Sequence, residues 1–138
     1  MRRSQLDGQQ GQILVMASAV LVFLFVPLAI FVVDTGLVIS SYSQLGETLQ
    51  VSAEDGASMI DQDAYRASGG KTVVLDEKAA RAMAERSLQE SRMPGLKSPS
   101  VTFSGNTVSV SAQDEVTLMV VGTATLKETR SADFVVGL

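Results

Sequence analysis

Three places in this 138-residue chain set residue types at spacings that chemistry uses. Gly70-Lys71-Thr72 has the ending of a phosphate-binding loop. That motif also needs a glycine five residues before Gly70 and a helix behind it, whose first amides face the phosphate. Position 65 is Tyr65, and Thr72–Leu75 (TVVL) reads as a short strand, so the match is fortuitous. Asp61 and Asp63 flank Gln62 as a carboxylate pair, but no oxygen-rich loop with a central glycine follows at calcium-hand spacing. They read as solvated carboxylates at a helix end. Asp114 and Glu115 form another pair, within Gln113–Glu115, a stretch that reads as a polar turn. The chain has neither histidine nor cysteine. Their absence removes the commonest general base and zinc ligand, the Ser-His-Asp arrangement, thiol chemistry and any disulfide staple. No catalytic, cofactor or metal site is predicted, no small-molecule substrate is evident, and the chain reads as non-enzymatic.

The element on which the rest depends is Ile13–Val33, 21 residues without a charge, fifteen of them Ile, Leu, Val or Phe. As a helix it would be roughly 31 Å long, the thickness of a bilayer's hydrocarbon core. At about −0.4 kcal/mol per strongly apolar residue, its insertion gains on the order of −6 kcal/mol, enough to absorb Pro27 and a mild kink there. A chain this small has no interior able to hide a helix apolar on every side. Residues 13–33 are therefore expected to be a transmembrane helix and residues 1–12 a flexible cytoplasmic tip. Arg2 and Arg3 precede the span, whereas nine Lys/Arg and fourteen Asp/Glu follow it. Basic residues stay on the cytoplasmic side, so the N-terminus is expected inside and residues 34–138 exported from the inner membrane. The acidic exported part argues against nucleic acid as a partner.

Beyond the span, Asp34 marks the outer membrane boundary, and residues 34–63 read as an exported continuation of the helix. Val38, Tyr42, Leu45, Leu49, Ser52, Gly56 and Met59 recur at alternating spacings of four and three, a heptad-like stripe. Its far end is narrow, with Ala53 and Ala57 beside Ser52 and Gly56, and small residues let another backbone approach. The helix-packing residues are thus Val38, Tyr42, Leu45, Leu49, Ala53, Gly56 and Ala57, with Ala53, Gly56 and Ala57 expected to meet other subunits. Residues 64–138 read as a small α+β exported domain. Asp76 N-caps a helix with Ala80, Met83, Ala84, Ser87 and Leu88 on one face, stopped by Pro94-Gly95. Val101 and Phe103, the turn Ser104-Gly105-Asn106, and Val108, Val110 and Ala112 give a hairpin. Val116–Gly122 (VTLMVVG) reads as a buried strand or short helix, and Leu126–Val136 as a closing strand. The fold class is α+β: a long N-terminal transmembrane-plus-stalk helix, then one helix packed on an antiparallel sheet.

The order of these features resembles the Flp/Tad pilus-assembly proteins of the TadE/TadG-like class. A glycine leads into the span (Gly11, GQILVMAS), the span ends in VVDTG (Val32–Gly36), and LQVSAEDGAS (Leu49–Ser58) follows. The resemblance covers residues 8–60 best. It implies a pilin-like plan, Gly8 or Gly11 as candidate processing positions, and other pilin-like or pilus-machine subunits as partners. Cut pilin-like members usually keep a glutamate five residues after the cut, where this chain has Met16 or Ile13. The function expected is a structural or assembly component of a Tad/Flp-type pilus or related secretion system. The competing expectation is a membrane-anchored exported binding module, an adhesin or sensor head unrelated to pili.

Overall fold

The computed structural model describes residues 3–134, with side chains from residue 11 onward. Arg2 and Val136, which entered the charge count and the closing strand above, lie outside the described residues. The elements are α1 (Arg3–Ala57), α2 (Gln62–Ala67), α3 (Glu77–Glu90), β1 (Leu96–Ser104), β2 (Thr107–Leu118) and β3 (Gly122–Asp133). The α+β plan read from the sequence is the observed one: a long apolar N-terminal helix, then a small domain with a helix packed on a three-stranded antiparallel sheet.

α1 holds 55 residues without interruption, carrying through Pro27. Gly8 and Gly11 lie within it, so the polar N-terminal residues from Arg3 on continue the helix instead of forming a separate tip. Its first half is long and apolar enough to cross a membrane, and the other described residues bury none of that apolar window. Ser18 and Thr35 turn their hydroxyls back on the helix, Ser18 donating to the Leu14 carbonyl (2.8 Å) and Thr35 to that of Phe31 (2.8 Å). Neither hydroxyl is left unpaired. Leu45, Leu49, Ser52, Ala53, Gly56 and Ala57 lie in the second half and are buried. The helix ends at Ala57, short of the Asp61–Asp63 end expected. Two neighbours take over the backbone there. Ser58 Oγ donates to the Asp55 carbonyl (2.7 Å), and Ile60 pairs with Leu75 in an isolated bridge. Asp61 N–H donates to Val74 O and Asp76 N–H to Met59 O. That bridge is all that comes of the strand expected over Thr72–Leu75.

Asp61 caps α2, its Oδ1 accepting from the amides of Asp63 (3.0 Å) and Ala64 (2.9 Å). Asp76 caps α3 in the same way through Lys78 and Ala79, as its position predicts. α3 buries Ala80, Ala84 and Leu88, a four-residue spacing that faces α1 and the sheet. Arg81 ties α3 to β1, donating to the Val101 carbonyl (3.0 Å) with its guanidinium over the Phe103 ring (5.2 Å).

The sheet is a meander in the order β1-β2-β3. One face packs under α1 and α3 through Val101, Val108, Val110 and Ala112. The other carries Thr102, Ser109, Ser111, Thr129 and Ser131 in cross-strand register, the division usual for an antiparallel sheet covered on one side. Two sequence expectations fail in β2. Gln113–Glu115 is not a turn: β2 runs straight through it, pairing with Lys127, Leu126 and Thr125. Asp114 takes an inward position and is buried; a side chain on Gly95 would collide with its Oδ1, so the glycine leaves room for the carboxylate. And VTLMVVG is neither a buried strand nor a helix along its length. Val116–Leu118 end β2, Met119–Val121 form an exposed loop, and Gly122 starts β3.

Candidate functional site

The stripe read from the sequence faces the chain's own sheet and α3. Leu45 and Leu49 are fully buried under the sheet, with Ala53 and Ala57 in the same core. Gly56 is where the packing is closest. A Cβ added there would lie 3.1 Å from the Ala80 carbonyl oxygen and 3.3 Å from both Ala84 Cβ and Val108 Cγ1. Ala53, Gly56 and Ala57 are thus occupied within the molecule and are not a surface for another subunit. Small residues did predict a close approach; the approaching elements are α3 and β2. The core also crosses the boundary drawn at residue 63, because the second half of α1 is the central element of the head.

Nearer the apolar half, the same face of α1 opens. Val38 is half-buried, and Tyr42 is exposed beside the edge strand β3. Val38, Ile39, Tyr42, Ser43, Gly46 and Glu47 line a groove whose other wall includes Arg130 of β3. Gly46 lets the Arg130 guanidinium lie against the helix, with Nη2 3.2 Å from where a Cβ would stand. Arg130 also pairs with Glu128 (Nη2–Oε1 2.9 Å), whose side chain is only 12% exposed. The Tyr42 hydroxyl is held above the ordinary tyrosine pKa, first by hydrogen bonding to Glu128 and then by that carboxylate's charge, with Arg130 opposing. Sequence reading found Tyr42 but neither Glu128 nor Arg130, because an alternating Leu126-Lys127-Glu128-Thr129-Arg130 run does not say which charges turn toward a helix.

At the lower end of the stripe Asp34, expected to mark the membrane boundary, has a structural role of its own. It is buried, 7% exposed, and its carboxylate receives the β2–β3 loop: Met119 N–H to Oδ1 at 2.9 Å and Val120 N–H to Oδ2 at 3.3 Å. Successive loop amides converging on one carboxylate satisfy donors that the turn leaves without strand partners. The match of lengths makes this contact available. Val108 sits at Gly56 and Met119 at Asp34. The intervening stretch of helix spans roughly 33 Å at 1.5 Å per residue, and that of strand roughly 36 Å at 3.3 Å per residue. The other carboxylates singled out serve local structure: Asp61 as a cap and Asp114 as an inward-facing strand residue. Lys71 follows a turn in which Thr72 N–H donates to Ser68 Oγ (2.9 Å), and the backbone then runs extended, without the helix a phosphate loop requires. Compared with family models, curated proteins and solved structures, the chain finds no match in any of the three.

Proposed function

We propose that this protein is a non-enzymatic, membrane-anchored structural or assembly subunit of a Tad/Flp-type pilus or related secretion system. It would span the inner membrane once, with its N-terminus inside and its head exported. The observation that carries the reading is α1 itself: one helix, bare and apolar for the length of a bilayer, whose second half is the core of the head. That plan couples an anchor rigidly to an exported body, as a subunit that packs by its anchor requires. The motif order GQILVMAS, VVDTG and LQVSAEDGAS adds the family-level support. Since Ala53, Gly56 and Ala57 are used internally, the partner-facing part of the stalk is the open groove around Ile39, Ser43 and Glu47. Cysteine crosslinking in cells tests this. Ser43→Cys should give adducts with other subunits of a membrane assembly and Ala53→Cys none. A Ser43→Cys protein that stays monomeric under every crosslinker span sinks the proposal.

A further inference from the structure

The two turns of the meander differ in a way their geometry does not require. The β1–β2 turn, at the end of the sheet far from the apolar half of α1, is Gly105-Asn106, residues that turns favour. The β2–β3 turn is Met119-Val120-Val121, and these side chains are 71%, 69% and 77% exposed. Three consecutive apolar residues at a loop tip are thus left uncovered by the described residues. Val120 and Val121 line an open hollow beside the apolar run of α1, together with Pro27, Ile30 and Phe31. Pro27 is seven residues before Asp34, so the hollow reaches roughly 10 Å along the helix into the uncharged segment. The loop has no charge of its own between Glu115 and Lys127. Asp34, the one carboxylate at that level, is spent on its two amides.

We infer that the Met119–Val121 loop is a second membrane contact, dipping into the outer leaflet beside α1, with Asp34 as the residue that positions it. The occupant of this surface is lipid acyl chain. The inference rests on reading the apolar half of α1 as a membrane span, because the loop is continuous with that surface and shares its boundary. The apolar faces of interfacial helices bury about 5–10 Å into the headgroup–acyl boundary, a depth comparable with the roughly 10 Å from Asp34 to Pro27. The amides that a bare tip would carry unpaired into a poorly hydrated zone are those the carboxylate accepts from.

The chain contains no cysteine, so single labels are unique. Full-length protein carrying Ser18→Cys, Val120→Cys or Asn106→Cys is labelled with an environment-sensitive fluorophore and reconstituted in phosphatidylcholine vesicles. Lipids bearing a nitroxide high on the acyl chain then act as quenchers. The Val120 label should emit to the blue of the Asn106 label and be quenched about twofold or more relative to it, as expected for interfacial burial. In an Asp34→Ala background it should lose about half of that quenching or more, while the Ser18 label keeps its own. Unchanged quenching at Val120 in that background overturns the role given to Asp34. A Val120 label as wet as the Asn106 label, with Ser18 quenched, overturns the second contact and leaves the span standing. An unquenched Ser18 label removes the span and the loop contact together. A Val120 label shielded from aqueous iodide yet untouched by lipid nitroxides marks a protein neighbour and overturns the lipid assignment.

Discussion

Gly56 and Gly36 stand on the same helix and carry opposite expectations. A Cβ at Gly56 meets a backbone carbonyl at 3.1 Å, whereas one at Gly36 meets nothing within 4 Å. Alanine gains about 1 kcal/mol over glycine in a helix, but overpacking a close contact costs about 1–3 kcal/mol. Gly56→Ala should therefore lower stability by about 1 kcal/mol and Gly36→Ala raise it by up to that amount, read from thermal melts in detergent. Tyr42 gives a pH-dependent test. Its folded pKa lies above the ordinary value of 10.0. The stability this adds is complete below that value and is lost as pH rises through the folded pKa. In a Tyr65→Phe background, ultraviolet titration should show Tyr42 ionising above its ordinary range, and Glu128→Gln should bring it back down. Residue roles were legible where chemistry is local: Asp76 announced itself as a cap by sequence position alone. Asp114 did not. The inward rhythm Val108, Val110, Ala112, Asp114, Val116 was present in the sequence, but a carboxylate in a polar triplet looks like a turn until the strand opposite supplies its register.

The elements follow the same logic, since periodicity identifies an element but not its partner. The stripe on α1 predicted helix and a packing face, and the Gly105-Asn106 hairpin was plain from its alternating flanks. What the spacing could not say was that the stripe's neighbours are α3 and β2 of the same chain. Met119–Val121 differs from expectation for a related reason: an apolar run suggests a buried element, but here it is an exposed loop tip. Because the head is built on α1, residues 64–138 alone should remain unfolded by circular dichroism and proton NMR, while a fragment starting at Asp34 should fold cooperatively. Within that fragment Leu49→Ala should cost about 2–5 kcal/mol in urea denaturation, since Leu49 is fully buried between the helices and the sheet.

For the molecule as a whole, the uncovered apolar half of α1 governs solubility. Phe23 is 82% exposed at its midpoint, and soluble proteins rarely expose an apolar surface of that extent. Full-length protein should partition into the detergent phase in a Triton X-114 separation and the fragment starting at Asp34 into the aqueous phase; the reverse would refute the anchor.

The unbroken course of α1 has a mechanical corollary. Ala57 lies roughly 45 Å from Pro27 along the rod, so a 10° change of tilt about the proline swings the far end by roughly 8 Å. The turn of the sheet clipped to Asp34 stands alongside that pivot like a splint. Leaning away from it would pull on the Met119 and Val120 amides held by the Asp34 carboxylate. Whatever tips the rod therefore carries the α+β body with it, because the second half of α1 is part of that body's core.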